Sequence, residues 1–272
     1  MIISNCLCKN KSKFIPYIEY KNEKVFKEYE GIKLIRCLNC NLLKTIYPKD
    51  HKTAEAESRP EQHEKSKAEL VKAFEKITKI IKKYKKRGRV LDVGCSSGIF
   101  MEVLNKKSYA VSGIEANKQA YVLAREKFPH QVFLGTLTQY LRKNVTKFDI
   151  VIYNHVLEHI PNLVDEFKAI KKILHKKGLL VLGLPNTDNI VFKLRKKYWE
   201  SLMPSEHLWH FSKNYIKNYL TQNGFKILDV SFSNHARKDY SLIKKIYFNV
   251  LTTINKLINS GESMLIISKY DN

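Results

Sequence analysis

The chain has 272 residues with ordinary proportions of hydrophobic (44%) and charged (28%) side chains, which excludes a disordered polyelectrolyte and allows a substantial core. It contains no apolar run of about 18 residues or more, so no transmembrane helix is predicted. The N-terminus lacks the basic flank and long apolar stretch of a secretory signal, and we therefore expect a cytoplasmic protein.

The net charge of +23 is the most pronounced feature of the composition. Such a surface attracts polyanions, meaning nucleic acid or anionic lipid headgroups. Only 8 of the 49 basic residues are Arg, the residue favoured for bidentate recognition of phosphates and bases. The excess of Lys also fits a coding bias toward A/T-rich codons. RNA and a membrane surface both remain candidate partners.

Four of the five cysteines lie in the first 40 residues. An odd number of cysteines in a chain that looks cytosolic does not indicate a disulfide framework. Cys37 and Cys40 have the Cys-x2-Cys spacing of a zinc knuckle, and Cys6 with Cys8 can supply the other two ligands of a tetrahedral zinc. A structural metal would explain how so short a segment folds. The alternative is four unpaired thiols.

We predict three segments: a zinc-ribbon-like segment at 1–50 with short strands near 17–20 and 32–35, a polar linker at 51–65, and one large domain at 66–272. An amphipathic helix covers about 70–84 and ends at Gly88. Strands and helices then alternate, with strands at 89–93, 109–114, 131–134, 148–153 and 179–184 and helices at 99–106, 118–127 and 162–175, the last closed by Gly178. This alternation predicts a doubly wound, mostly parallel α/β sheet.

The most specific motif is the strand and glycine-rich turn at 90–98. A P-loop needs a Lys after the last glycine, and none follows Gly98. A dinucleotide fingerprint needs three glycines to admit a pyrophosphate, whereas this turn has only Gly94 and Gly98 and carries Asp92, an acid that repels phosphate. An acid with two glycines suits a cationic ligand without phosphate, such as S-adenosylmethionine. Glu115, after the second strand, fits the acid that accepts ribose hydroxyls.

Around these residues the sequence resembles class I S-adenosylmethionine-dependent methyltransferases of the Val-Leu-Glu-His branch. The resemblance covers about 88–232 and includes the motifs at 91–98, 113–115, 148–151, 156–161 and 206–212. It implies a seven-stranded sheet whose last strand is antiparallel, which the strands predicted at 225–232 and 263–270 suit. It also implies cofactor contacts from Asp92, Gly94, Cys95, Ser96, Gly98, Glu115, Ala116, Thr136, Leu137 and Asn154.

Several histidines are predicted near the edge of the sheet where a methyl group would be transferred. His155 follows the fourth strand, and His207 and His210 lie in an aromatic-rich loop after the fifth. A hydroxyl acceptor must lose its proton, and His suits this role near neutral pH. We expect His155 to be the base, with His207 as the second candidate.

A divalent metal is an alternative role for the same residues, since His155, Glu158 and His159 are spaced to converge on a helix and His207 can complete the set. Small-RNA 2′-O-methyltransferases and ubiquinone-pathway O-methyltransferases have a similar Glu-x-x-Glu-His pattern with a later His. Here His155 replaces the first Glu. A third interpretation is that Glu158 and His159 only order the turn before Pro161.

Our leading functional prediction is O-methylation of a small molecule or of a glycan hydroxyl. An RNA methyltransferase is the first alternative, favoured by the charge, and a non-catalytic adaptor that keeps the fold is the second. The helix predicted at 241–258 has apolar residues flanked by lysines. It can lie on a membrane surface as a peripheral contact, although we expect it mainly to cover the sheet.

Overall fold

The computed structural model describes residues 2–21, 27–49, 65–235, 237 and 239–271. Except for Lys65, the linker predicted at 51–65 lies outside these residues. Within this part of the chain no helix is long and apolar enough to cross a membrane.

The N-terminal strands form a five-stranded antiparallel sheet with a strand from much later in the chain. Its strands are β1 (Ile2–Cys6), β2 (Lys9–Glu19), β3 (Lys33–Cys37), β4 (Leu43–Ile46) and β10 (Trp209–His210), in the order β1-β2-β3-β4-β10. Strand β10 pairs with β4 through Trp209 opposite Lys44 and His210 opposite Leu43. Strands β1, β4 and β10 were not predicted, and the sheet is completed only by tertiary folding.

The second sheet is seven-stranded, as predicted. Its strands are β5 (Arg89–Val93), β6 (Ala110–Glu115), β7 (Val132–Leu134), β8 (Phe148–Asn154), β9 (Leu174–Pro185), β11 (Phe225–Ser233) and β12 (Ser263–Tyr270), in the order β11-β12-β9-β8-β5-β6-β7. Strands β5 to β9 are parallel, and β12 is antiparallel to both of its neighbours. The predicted doubly wound α/β fold and the antiparallel last strand are therefore confirmed.

The helices are α1 (Lys67–Tyr84), α2 (Ile99–Asn105), α3 (Lys118–Lys127), α4 (Leu137–Lys143), α5 (Leu163–Ile173), α6 (Ile190–Arg195), α7 (Lys213–Gln222) and α8 (Leu242–Leu257). Short polar side chains cap several of them, because a side-chain oxygen can accept the free backbone N–H groups of the first turn. The capping residues are Asn117, Thr136, Asn162, Asn189 and Ser212.

One predicted boundary is wrong. Helix α5 ends at Ile173 rather than near His175, and Gly178 lies inside β9 instead of closing the helix. Leu174 is already extended and pairs with Phe148, and a register shift then brings Leu179 opposite Ile150. The periodic apolar residues of the helix and those of the strand follow one another without a break, so the sequence pattern did not show where one ends.

Two apolar clusters cover the faces of the seven-stranded sheet. On one face the strands pack against α1, α2 and α3, with Ile81, Phe100 and Ala124 buried. On the other face the strands pack against α5 and α7. This second cluster continues into the N-terminal sheet through Phe14, Ile35 and Cys37. Because this second cluster is shared, the N-terminal sheet is packed against the larger sheet.

Candidate functional site

The carboxyl ends of β5, β6, β7 and β8 meet along one edge of the seven-stranded sheet, where parallel α/β sheets bind their ligands. The predicted cofactor residues follow these strand ends in turn. Backbone hydrogen bonds hold the loops together, from Gly94 N to Ile114 O (2.7 Å) and from Gly135 N to Glu115 O (2.8 Å). Residues far apart in the sequence therefore lie side by side along this edge of the sheet.

The turn after β5 depends on glycine at its first position. Gly94 has φ +73°, and a Cβ there would collide with the side chain of Val156. Ser96 also has positive φ, and Gly98, in the left-handed region, begins α2. A tight turn of this kind, with glycine and positive φ at both ends, is the type of backbone that a nucleoside ligand can approach closely.

Two buried carboxyl groups face this turn. Burial, and secondly the nearby Glu115, raise the pKa of Asp92 to about 8. Burial also raises the pKa of Glu115, against the backbone N–H groups of Asn117, Ser96 and Ala116, which lower it. The Glu115 oxygens accept hydrogen bonds from Ser96 N and Asn117 N, both at 2.8 Å. These contacts fix the carboxylate, and its remaining lone pairs suit a ribose diol.

The other predicted cofactor residues lie along the same edge in different environments. Cys95 and Leu137 are buried, Asn154 is half-buried, and Ala116 and Thr136 are exposed. Thr136 forms a capping box with Gln139 at the start of α4, so its side chain is already used in ordering the loop. Burial raises the pKa of the Cys95 thiol, which is therefore kept neutral.

His155 stands at the end of β8 with its side chain 44% exposed. Its backbone adopts φ +55°, an uncommon conformation for a residue with a side chain, and its N–H bonds Gly183 O at 2.9 Å. The imidazole Nδ1 lies 3.3 Å from Glu158 Oε1, and Nε2 lies 3.3 Å from Ser263 Oγ. A carboxylate on Nδ1 favours the tautomer whose Nε2 can accept a proton.

Glu158 is fully buried beneath these histidines. Burial would raise its pKa, but the hydrogen bond from His155 and the charges of His155, His207 and His159 lower it to about 2. Its second oxygen, Oε2, and Nδ1 of His207 are both buried without a hydrogen-bond partner in the described part of the chain. The site thus contains an acceptor and a ring nitrogen that lack expected partners.

Glu158, His159 and His207 bring one ligand atom each to within 4.8 Å of one another. His159 donates from Nδ1 to Glu206 O at 3.0 Å, as metal-binding histidines commonly do to a backbone carbonyl. His155 is not part of this group, although the sequence suggested that it could be. Burial lowers the pKa of His207 to about 4, so this ring is neutral and enclosed, unlike the exposed His155.

His210 has a structural role and is not part of the group formed by Glu158, His159 and His207. It is buried in β10, and burial lowers its pKa to about 3. Its Nε2 lies 2.9 Å from Thr45 Oγ1, which in turn donates to His207 O at 2.7 Å. The neutral ring therefore links the N-terminal sheet to the loop that carries His207.

The four N-terminal cysteines converge as predicted. Their sulfur atoms lie within 4.8 Å of one another, with 3.5 Å between Cys6 and Cys40 and 3.7 Å between Cys8 and Cys37. Four thiolates around a tetrahedral zinc are separated by about 3.8 Å, given Zn–S bonds of about 2.3 Å, so this arrangement fits the metal. The Cys40 thiol, as the main cause, lowers the pKa of Cys6 to about 6.

Ser263 is a site residue that the sequence analysis missed. It begins β12, 108 residues after His155. A lone serine before an apolar strand gives no functional signal, and its position beside the imidazole follows from the antiparallel insertion of β12 next to β9.

The comparisons with known proteins agree with this geometry. The family model described as "Methyltransferase domain" matches residues 63–230, more than half of the chain. Among curated proteins, the ubiquinone biosynthesis O-methyltransferase of Glaesserella parasuis is 30% identical over 107 residues, which are 36% of this chain and 45% of that protein. The corresponding protein of Pelagibacter ubique is 23% identical, over 63% of this chain and 70% of that protein. The chain thus spans under half the length of the first of these relatives.

Solved structures give the same fold at low sequence identity. A SAM-dependent methyltransferase from Archaeoglobus fulgidus aligns with a TM-score of 0.56 at 20% identity, over 74% of this chain and 93% of that one. The plantazolicin methyltransferase BpumL, solved in complex with SAH, aligns with a TM-score of 0.55 at 14% identity, over 82% and 92%. The family match, the strand order and the position of the glycine turn lead to one conclusion: the chain belongs to the methyltransferase domain family and has the fold of S-adenosylmethionine-dependent methyltransferases.

Proposed function

We propose that this protein transfers a methyl group from S-adenosylmethionine to a hydroxyl oxygen, with His155 as the general base. The observation that carries the proposal is the pair formed by exposed His155 and buried Glu158 at the carboxyl end of β8. The two curated relatives described above are named O-methyltransferases, which supports oxygen as the accepting atom.

S-adenosylmethionine supplies an activated methyl group on its sulfonium. In the proposed arrangement the turn at Gly94–Gly98 holds the ligand, Asp92 faces its positive charge and Glu115 binds the ribose. Ala116, Thr136, Leu137 and Asn154 complete the cleft. Glu158 orients His155 so that Nε2 can take the proton of the acceptor hydroxyl, and Ser263 lies beside that nitrogen. His207 is buried, so we assign the base to His155 alone.

The acceptor that we propose is a small molecule or a glycan hydroxyl. An RNA methyltransferase is the alternative, supported by the net charge of +23. A protein that uses the same fold only as an adaptor would not need the fixed Glu115 carboxylate or the oriented imidazole, and we therefore rank it last.

Transfer of labelled methyl from S-adenosylmethionine into a fractionated lysate tests the proposal. Label in a small-molecule, glycan or lipid-linked fraction supports it and identifies the acceptor class. Label in a nuclease-sensitive fraction, lost steeply with added salt, would establish the RNA alternative. A chain that neither binds the cofactor nor transfers label would be an adaptor.

A divalent cation held near His155 is a second candidate for the group that activates the acceptor hydroxyl. Its support is the unpartnered Oε2 of Glu158 beside His159 and the unpartnered Nδ1 of His207, a carboxylate and two imidazoles that suit a transition metal. These residues would then hold a cation that lowers the pKa of the acceptor hydroxyl. Activity that survives dialysis against a chelator would leave His155 as the base; loss of activity restored by Mn²⁺ would favour the metal.

We further propose that Cys6, Cys8, Cys37 and Cys40 hold a structural zinc. The sulfur separations fit a tetrahedral thiolate site, and the turns between β1 and β2 and between β3 and β4 supply one pair of ligands each. The zinc has no proposed part in the chemistry, since these thiols belong to the N-terminal sheet.

A further inference from the structure

Helix α8 presents an apolar stripe to solvent. From its sequence we expected this helix mainly to cover the sheet, but its buried residues instead join α6 and strands of the N-terminal sheet in a separate apolar cluster. The exposed side chains recur at helical spacing, one turn apart, and are large: Leu242, Ile243, Ile246, Tyr247 and Val250. Ile243 is 81% exposed. Such a stripe on a surface helix marks an interaction site.

The opposite face of α8 is already packed. Phe248 and Leu251 are buried with Trp199 and Phe192 in a third apolar cluster, and Asn255 accepts a hydrogen bond from Ile190 N at 2.9 Å. The helix is therefore anchored on the protein through one face, and its exposed stripe is not required for its own folding. Leu194 and Tyr198, in the neighbouring segment that begins with α6, are exposed as well.

The positive charge around the stripe indicates which kind of partner it can bind. Residues 190–199 and 241–258 together contain seven cations and no acid: Lys193, Arg195, Lys196, Lys197, Lys244, Lys245 and Lys256. Glu200, which follows the first segment, is neutralised by Arg195 and Arg237. A second copy would place lysines against lysines, and RNA does not require exposed Leu and Ile side chains. An apolar stripe surrounded by lysines is suited to a bilayer with anionic headgroups.

A short loop connects the C-terminal end of α8 to the proposed reaction site. The chain leaves α8 at Leu257 and enters β12 at Ser263, whose Oγ is 3.3 Å from His155 Nε2. The loop between them is rigidly held, because Glu262 is buried and bonded to Arg237 and Trp199. The C-terminal end of α8 is thus connected through an ordered loop to the strand whose Ser263 contacts His155.

We propose that the exposed face of α8, together with Leu194 and the surrounding lysines, docks this protein on an anionic membrane surface. The apolar side chains enter the headgroup boundary, and the lysines contact lipid phosphates. The binding is peripheral and reversible, because it uses one face of one helix.

The test is cosedimentation of the full-length protein with phosphatidylcholine vesicles containing phosphatidylglycerol, compared with vesicles of phosphatidylcholine alone. We expect binding only to the anionic vesicles. Ile246→Glu should weaken it about tenfold or more, because an apolar side chain leaves the interface and a negative charge enters it. Lys244→Gln should weaken it about fivefold.

Val145→Glu is the matched control, since Val145 is 97% exposed in the loop before β8 and the change in net charge is the same. It should bind vesicles like the wild type. Cofactor affinity, measured on the same samples, should be unaffected in all three variants, which separates this proposal from that of the methyltransferase activity. Equal binding of Ile246→Glu and wild type would overturn the docking surface. A second outcome would also overturn it: neither the wild type nor any variant binds vesicles, but the wild type forms a concentration-dependent dimer or binds RNA, and Ile246→Glu abolishes that interaction.

Discussion

The two sheets of this protein reach stability by different means. The seven-stranded sheet is covered on both faces by helices and buries strands such as β8 and β9 almost completely. The five-stranded sheet has few helices of its own; it carries the four clustered cysteines and is completed by β10, a strand from beyond residue 200. Burial of apolar surface alone stabilises a large layered domain, whereas a small sheet needs a metal or a neighbour.

This difference also separates two kinds of site residue. The proposed cofactor residues lie in loops of the larger sheet, each next to its own strand. The cluster of Glu158, His159 and His207 depends on both sheets, because β10 and Thr45 hold the loop that carries His207. Disturbing the small sheet should therefore affect the histidine cluster more than the glycine turn.

The largest expected effect is on the small sheet. Replacing Cys37 and Cys40 by Ser should remove the bound zinc and melt the N-terminal sheet, since structural zinc contributes on the order of 10 kcal/mol of folding free energy. Metal analysis and limited proteolysis report the two losses. Cys95→Ser, in the large sheet, is the control and should retain zinc. Wild-type protein that purifies without metal would contradict the zinc site.

In the large sheet, Asp92→Ala should reduce affinity for S-adenosylmethionine about 1,000-fold, because a buried carboxylate that faces a cation is lost. Calorimetric titration measures the change. Asp149→Ala, whose carboxylate pairs with Lys85 before β5, should bind the cofactor normally. If Asp92→Ala retains wild-type affinity, the assignment of this acid is incorrect.

At the end of β8, His155→Ala should lower kcat about 100-fold, the lower end of the range for general bases. Cofactor affinity should stay unchanged, since the imidazole acts on the acceptor. Single-turnover kinetics with a saturating cofactor distinguish these quantities. An unchanged kcat would exclude His155 as the base and favour the metal alternative.

Cofactor affinity should also depend on pH. The pKa of Asp92 is about 8 without ligand, and a bound cation favours the ionised carboxylate, which lowers that pKa. Binding therefore releases a proton below pH 8, and affinity rises by up to about tenfold per pH unit until Asp92 is ionised. Calorimetry in two buffers of different ionisation enthalpy counts the protons. No release at pH 7 would mean that Asp92 is already charged.

The smallest effect concerns the link between the sheets. Thr45→Val should destabilise the protein by about 1–3 kcal/mol, because His210 Nε2 and the carbonyl of His207 lose a buried partner. Thermal unfolding measures this loss. Thr253→Val, which removes an exposed bond within α8, should change stability little. Equal effects of the two substitutions on thermal unfolding would mean that the hydrogen bonds of Thr45 do not contribute to stability.

Most of the larger sheet could be predicted from the chain alone. The span of β5 and that of α3 coincide with their predicted bounds, because β5 is a short buried run that ends at Gly94 and α3 begins directly after its cap, Asn117. The error at Gly178 arose where one apolar pattern ran into the next. Helices α4, α6 and α7 were not predicted. Helices α4 and α6 have only seven and six residues, too few turns for an apolar pattern to repeat.

The sequence by itself determined the family, the glycine turn with its acid Asp92, and the two cysteine pairs that we propose as zinc ligands, since each of these motifs is encoded by residues close together in the chain. Only the tertiary structure decided that β10 completes the N-terminal sheet, that Ser263 meets His155, and that His207 is buried beside Glu158 while His155 is exposed. It also decided that α8 leaves an apolar stripe uncovered. These features depend on contacts between residues far apart in the chain, 49 positions for Glu158 and His207 and 108 for His155 and Ser263. No local pattern specifies which of many chemically suitable partners will meet.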